Sequence, residues 1–287
     1  MRIYLPISIV ILLAASTTGA AERDERYLNK AEKAATNQRE HIRAEIKNLK
    51  DHDWAGEYYA GDGLGVNTSL AIAPGTGYVF EWHGCVGLYD RNYGAVTKTN
   101  NRIRLSFTFE NNRKGFQGIA PELIPVSWGE RSYLIPADDI AGFCNNVNGG
   151  REPRMHAHGS YLLRRGDEKK EVTGFPNVPD EFRAYLLAKP IEATILAVGA
   201  YTTRPSVIDE RDTPVTLDAG TNKGVRVGME FVVTEPQLVV QSVRITKVEA
   251  DRAEGIMTQF GEKERGPESG WRLSTQAPWN VGSRNKR

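Results

Sequence analysis

The chain has 287 residues, of which 40% are hydrophobic and 25% are charged, as in an ordinary folded protein of about two domains. Lys and Arg number 37 against 36 Asp and Glu, which leaves a formal net charge of +1. A protein that binds nucleic acid usually carries a larger positive excess, so this balance argues against a polyanionic partner.

Residues 1–20 have the pattern of a secretory signal peptide. Arg2 precedes an apolar run over 3–15, and residues 18–20, Thr-Gly-Ala, resemble a cleavage site. The run is short for a membrane span, so we expect no stable span after cleavage. The pattern predicts a periplasmic or secreted protein, and an uncleaved N-terminal anchor is the alternative.

Residues 22–50 predict a charged helix, because helix-favouring residues dominate and neither Gly nor Pro interrupts them. A thin apolar stripe at helical spacing is formed by Leu28, Ala31, Ala35, Ile42, Ile46 and Leu49. Such a helix would lie solvated beside its own domain or pair with a partner helix.

Residues 54–199 predict a larger β domain, either barrel-like or a sandwich. Apolar residues alternate with polar ones over 102–110 and 78–83, as in strands with one buried face. Two short helices are predicted within this domain. The first has apolar residues at helical spacing over 140–147, and the second spans 179–188. A strand is predicted around 191–198.

Residues 201–214 are polar and aperiodic and contain two prolines, so they are interpreted as a linker. Residues 215–275 return to a β-pattern and predict a small β-barrel, and residues 276–287 predict a disordered tail. The fold class is therefore mainly β, with an N-terminal helix, a larger domain that carries two short helices, and a small C-terminal barrel.

Cys85 and Cys144 are the only two cysteines. In an exported protein two cysteines most simply form one disulfide bond, which we predict here. Two buried thiols are the alternative.

The segment Trp54-Ala55-Gly56-Glu57-Tyr58-Tyr59 resembles the W-x-G-x-Y start of lipocalin-like barrels. This resemblance implies a carrier of a small apolar ligand, and it covers only the first strand. The wider segment 54–199 is similar to uncharacterised exported bacterial proteins, a likeness that implies no activity. Aromatic residues that could line a pocket are Tyr78, Phe80, Trp82, Phe107, Phe109 and Trp128. The alternative is that these side chains only fill the core.

The segment 215–229 resembles the strand and G-x-x-x-G-V-x-x-G entry of small barrels in the cell-shape protein MreC and in a flagellar assembly protein. Its glycines, Gly220, Gly224 and Gly228, suit a strand that turns and bends. The resemblance implies a role in structure and assembly, with no catalytic residues.

The sequence carries only weak motifs for nucleotide binding, metal binding or catalysis. The glycine run 61–65 lacks the helix that a phosphate loop needs, and residues 90–94 resemble only the start of a calcium loop. His156 and His158 could share one side of a strand, but no spacing selects a third metal ligand. No nucleophile motif is present. We therefore predict no catalytic residues, no metal and no cofactor.

Three function classes remain open. The first, which we favour, is a non-catalytic exported cell-envelope protein that acts as a protein-interaction or assembly module. The second is a lipocalin-like carrier of a small apolar ligand in the larger domain. The third is an unrecognised hydrolase.

Overall fold

The computed structural model describes residues 18–50, 52–61, 65–85, 87–109, 118–150, 161–204, 210–237, 241–260 and 265–276. The predicted signal peptide lies outside these residues except for its last three, which begin the first helix. All but the first residue of the predicted C-terminal tail lies outside them as well. Of the helices in the described part of the chain, none combines the length and apolar character needed to cross a bilayer.

The chain is mainly β, with 46% strand and 17% helix, which confirms the predicted fold class. The helices are α1 (Thr18–Leu49), α2 (Ile140–Asn148) and α3 (Asp180–Arg183). The larger barrel consists of β1 (Gly56–Gly61), β2 (Val66–Ala73), β3 (Gly77–Gly84), β4 (Gly87–Gly94), β5 (Val96–Thr99), β6 (Arg102–Leu105), β7 (Glu122–Trp128), β8 (Arg131–Pro136) and β9 (Leu162–Arg164). The small barrel contains β10 (Glu192–Val198), β11 (Thr202–Arg204), β12 (Glu210–Leu217), β13 (Glu230–Glu235), β14 (Ser242–Val248), β15 (Ala253–Phe260) and β16 (Arg272–Ser274).

The larger barrel is an antiparallel meander in which β9 returns to pair with β1, in the order β4-β3-β2-β1-β9-β8-β7-β6-β5. β4 and β5 are two halves of one bent strand, because β4 pairs with β3 and β5 pairs with β6. Beside the bend, Ser106 N donates to Ala95 O (2.9 Å) and Thr108 N donates to Tyr93 O (3.2 Å). The nine-stranded sheet is thereby nearly closed.

Gly94 is required at this bend. A Cβ atom at this position would collide with the carbonyl oxygen of Ser106, which lies in the segment directly after β6 where the barrel closes. A side chain here would therefore push the two edges of the sheet apart.

Alternation along the strands separates the inside of the larger barrel from the outside. On β3, Tyr78 and Phe80 point into the interior, whereas Val79 packs against α1. The buried interior cluster comprises Trp54, Tyr58, Ala60, Leu70, Ile72, Tyr78, Phe80, Ile103, Leu105, Ile119, Leu123, Leu134 and Leu162.

α1 covers the outer face of β2 and β3, so the predicted helix docks on its own domain. Ala35 and Ile42 of the predicted stripe are buried there, with Ile46 and Leu49 packed at the margin. Polar contacts fix the helix along its length. Arg39 forms an ion pair with Glu81 (3.0 Å), and Glu81 also binds Arg91 on β4 (2.8 Å).

Glu45 holds the turn between β2 and β3. Its carboxylate accepts hydrogen bonds from Gly75 N (2.8 Å), Thr76 N (2.7 Å) and the Thr76 hydroxyl (2.6 Å). Partial burial opposes ionisation, but these hydrogen bonds outweigh it and hold the pKa of Glu45 below its ordinary value of 4.5.

α2 covers the opposite side of the larger barrel, on the outer face of β7, β8 and β9. Its predicted apolar positions Ile140, Phe143, Cys144 and Val147 are all buried against that face. Gly149 caps the C-terminal end of the helix. The second predicted helix is present as the single turn α3.

The small barrel is closed by six strands, because β10 pairs with β16 on one edge and with β12 on the other. Its interior holds the apolar residues Phe231, Val233, Val243, Ile245, Trp271 and Leu273, which alternate with other residues along the chain. Gly224 and Gly228 both adopt φ of 86°, which glycine tolerates best.

Two predicted boundaries differ from the structure. The strand at 191–198, assigned to the larger domain, is β10 of the small barrel, and the predicted linker 201–214 contains β11 and residues 210–214 of β12. The sequence of this segment resembles a loop because it is polar. In the structure its polar residues pair with one another across neighbouring strands. Arg204, for example, forms ion pairs with Glu210 (3.0 Å) and Asp212 (2.7 Å).

The two barrels meet at α2. The Asn145 amide donates to Gly228 O (2.9 Å) and accepts a hydrogen bond from Glu230 N (3.2 Å). The Tyr185 hydroxyl donates to Val227 O (3.0 Å). The small barrel is thus hydrogen-bonded to the same helix that covers the larger barrel.

Glu45→Gln should weaken the docking of α1 on the larger barrel. Because the folded pKa of Glu45 is lowered, its stabilising effect is complete above the ordinary pKa and is lost as the pH falls through the folded value. We expect Glu45→Gln to lower the free energy of unfolding by about 1 kcal/mol at pH 7. Denaturant titrations at neutral and acidic pH measure this, with the exposed Glu40→Gln as control. A difference between Glu45→Gln and wild type that persists unchanged in acid would contradict the assignment.

Candidate functional site

Four of the six aromatic residues predicted to line a pocket come together inside the larger barrel. Tyr78 and Phe80 belong to the buried interior cluster, and the partly buried rings of Trp82 and Phe107 pack against it. The rings of Tyr78 and Phe107 meet edge to face with their centroids 6.4 Å apart.

The other two predicted pocket residues lie elsewhere. Leu123 of β7 points inward, so Trp128, five residues later, points outward by the two-residue period of the strand. Its ring packs against Phe143 of α2, and its Nε1 donates to Gly174 O (2.9 Å). Phe109 contacts Tyr93 (5.4 Å between centroids), whose ring packs on the cluster beneath α1. Trp128 and Phe109 are therefore not part of one pocket with the other four.

One end of the interior is sealed by Trp54 and Arg164. The Tyr58 hydroxyl donates to Trp54 O (2.9 Å), and the Arg164 guanidinium donates to that hydroxyl (3.1 Å) and to the carbonyl oxygens of His52 (2.9 Å) and Asp53 (2.7 Å). Burial raises the pKa of Tyr58 to about 12, so its hydroxyl stays protonated and can donate. This network fixes the start of β1 to β9, the strand that completes the meander.

Polar side chains on β4 also face the interior. Asp90 pairs with Trp82 and Asn92 pairs with Phe80 in the β3–β4 register, so these side chains share the inner face. Both polar residues are buried, Asp90 at 2% and Asn92 at 0% exposure. Residues 90–94, compared above with a calcium loop, are thus part of a strand. Sequence reasoning missed Asp90 and Asn92 as interior groups.

Asn92 has a clear structural use at the closure of the barrel. Its side-chain oxygen accepts hydrogen bonds from Thr108 N (3.1 Å) and Phe109 N (3.3 Å), and its Nδ2 donates to Phe109 O (3.1 Å). The amide group therefore links β4 to the chain that follows β6, beside the bend at Gly94.

Tyr78 differs from Tyr58 in lacking such a network. Its side chain is 0% exposed, and its hydroxyl has no hydrogen-bond partner among the described residues. Burial, reinforced by the nearby Asp90 carboxyl, raises the pKa of Tyr78 well above its ordinary value. The interior therefore holds a protonated hydroxyl group among mainly aromatic and aliphatic side chains, with the Asp90 carboxyl nearby.

The end of the interior that lies opposite Trp54 is less enclosed. Trp82, near the end of β3, is only partly buried and meets Tyr89 edge to face (5.6 Å between centroids). The turn between β3 and β4 lies just beyond it. Solvent thus reaches an aromatic side chain that packs on the interior cluster.

The predicted disulfide bond is not present. Cys85 is exposed in the turn after β3, whereas Cys144 is buried on the apolar face of α2 against β7, β8 and β9. The order of strands in the sheet separates these two places, which the sequence alone does not reveal. Burial raises the pKa of the Cys144 thiol to about 12, so it packs as a small apolar group.

His156 and His158 lie outside the described residues, as do three of the five residues in the glycine run 61–65. Within the ranges that the structure describes, no group of three or more His, Cys, Asp or Glu side chains is arranged to hold a metal ion.

A second surface of interest is the outer edge of the small barrel. β10 and β11 lie in line along β12, joined through Gly199, whose N donates to Pro214 O (2.8 Å). Among the described residues, the edge that faces away from β12 is paired only at the start of β10, where Ile195 bonds to Trp271 and Gly270. We call residues 196–204 the open edge. All nine are exposed, including Leu196 at 50%, Val198 at 39% and Tyr201 at 61%.

Comparison of the chain with protein-family models, with curated proteins and with solved structures finds no match.

Proposed function

We propose that the larger barrel binds a small amphipathic ligand and that the chain acts as a non-catalytic carrier. The buried Tyr78 hydroxyl is the observation that carries this proposal, because it is a hydrogen-bond donor with no partner among the described residues in a mainly apolar interior. Leaving such a group unsatisfied costs about 1–3 kcal/mol, and a ligand with an acceptor oxygen would recover that energy.

The shape of the larger barrel supports the same role. Barrels of about eight strands are either filled by side chains or hold one small ligand. Here the end near Trp54 is filled and sealed, whereas Trp82 at the other end is partly open to solvent. An apolar chain would enter beside Trp82 and place its polar head near Tyr78. The resemblance of residues 54–59 to lipocalin-like barrels adds support.

A second role is favoured by the open edge of the small barrel. Residues 196–203 include no charged residue, and exposed strand edges usually carry charges or proline that prevent pairing with another chain. We propose that this barrel docks on protein in the cell envelope, where the signal pattern of residues 1–20 would deliver it. The resemblance of residues 215–229 to assembly barrels supports this role.

The carrier role is tested by a pair of variants that should respond in opposite ways. Tyr78→Phe removes an unsatisfied hydroxyl, so the free energy of unfolding should stay constant or rise. Affinity for decanol, measured by displacement of the fluorophore N-phenylnaphthylamine, should fall about tenfold. Tyr58→Phe is the matched control: it should lower the free energy of unfolding by about 1 kcal/mol and leave decanol affinity unchanged.

Two results would contradict the carrier role. One is a wild-type protein that does not bind the fluorophore. The other is a Tyr78→Phe variant that loses as much stability as Tyr58→Phe while its decanol affinity is unchanged.

The docking role is tested by introducing a charge at the open edge. Val198→Lys should abolish site-specific cross-links between the small barrel and any second protein chain in cells, since a buried lysine prevents strand pairing. Phe175→Lys, at another exposed apolar residue, should leave the cross-links intact. Equal cross-linking in both variants would overturn the docking role.

A further inference from the structure

The open edge consists of the end of β10, residues 199–201, which belong to no strand, and β11. Beyond Leu196, whose carbonyl accepts a hydrogen bond from the Ser269 hydroxyl (3.0 Å), no described residue pairs with this edge. Backbone groups along an unpaired edge can bond to any extended chain that approaches, which is the basis of β-strand addition. The exposed Val198 and Tyr201 supply apolar contacts beside these groups.

We propose that the occupant of the open edge is a second copy of this chain, whose own open edge pairs with it antiparallel about a two-fold axis at Ala200. This inference specifies the partner in the docking role proposed above. Pairing of this kind is isologous, so each contact occurs twice and the assembly closes as a dimer.

The sequence of the open edge is compatible with itself in this register. Tyr201 of one copy lies opposite Gly199 of the other, which has no side chain to obstruct the ring. Val198 lies opposite Thr202, a pair of β-branched residues that suits neighbouring strands. Leu196 lies opposite Arg204, whose methylene groups can pack on it.

Charge does not oppose the approach of two copies. Arg204 is the one charged residue of the open edge, and Glu210 and Asp212 of its own barrel pair with it at 3.0 and 2.7 Å. Within the open edge itself, Arg204 faces Leu196 in this register, and the nearest charge beside the axis is Arg211, which lies over the Tyr201 ring (5.9 Å to its centroid). The formal net charge of the whole chain is +1, so long-range repulsion between copies is weak.

The experiment is sedimentation equilibrium of the full chain from micromolar to near-millimolar concentration. Cys85→Ser is included throughout, because Cys85 is exposed and could form an unrelated cross-link. We expect a reversible monomer–dimer equilibrium, weak because one strand pair buries little area. Tyr201→Lys and Val198→Lys should each raise the dissociation constant about tenfold or more, whereas Phe175→Lys should not.

A cysteine at the axis gives an independent readout. Ala200→Cys faces its own counterpart in the dimer, so mild oxidation should give a covalent dimer. Thr203→Cys lies opposite Ala197 and should cross-link far more slowly. Equal cross-linking at both positions would contradict the register.

Dimerisation in solution and cross-linking in cells are separate measurements, so the second copy and the docking role can fail independently. A chain that stays monomeric at all concentrations overturns the second copy as occupant, and so does a dimer that both lysine variants leave intact. The cross-links to any second protein chain in cells are scored separately. Their loss in Val198→Lys with a monomeric wild type would mean that the open edge serves a different protein.

Discussion

Closure of the larger barrel depends on one bent strand. β4 and β5 run continuously past Gly94, pairing first with β3 and then with β6, and this places both ends of the meander against each other. Asn92 joins the two sides through hydrogen bonds to Thr108 and Phe109. Because an open sheet has two faces but no interior, the buried position of Tyr78 and Asp90 exists only when this contact forms.

Once the sheet closes, the remaining packing follows from the alternation of side chains. Outward residues of β2 and β3 are covered by α1, and those of β7, β8 and β9 are covered by α2. α2 in turn binds the small barrel through Asn145. The small barrel closes between β10 and β12, but the strand continues past the closure as the open edge. The two candidate sites thus arise from one barrel that encloses an interior and another that leaves an edge unpaired.

Local patterns predicted much of this fold. The two-residue period at Tyr78 and Phe80 and the helical spacing over 140–147 identify the inward faces, because each depends only on neighbouring residues. The features that local patterns did not predict depend on pairing between strands that are far apart in the sequence. Asp90 and Asn92 lie in a sequence that resembles a polar loop, and only the β3–β4 register shows that they lie opposite Trp82 and Phe80. The predicted disulfide bond between Cys85 and Cys144 is absent, and Trp128 lies outside the interior, for the same reason. Their positions depend on which face of the sheet becomes the inside. Of the six aromatic residues identified from local pattern, four thus cluster in the interior, and the polar Asp90 and Asn92 beside them were missed.

Amide hydrogen exchange at the closure measures this contact most directly. The amides of Ser106 and Thr108 bond to Ala95 O and Tyr93 O only when the two sides of the meander meet. We expect both amides to exchange as slowly as those within β2 and β3, and Asn92→Ala to accelerate them while those of β2 and β3 stay protected. Rapid exchange at Ser106 and Thr108 in the wild-type protein, beside protected β2 and β3, would mean that the sheet is open and encloses no interior.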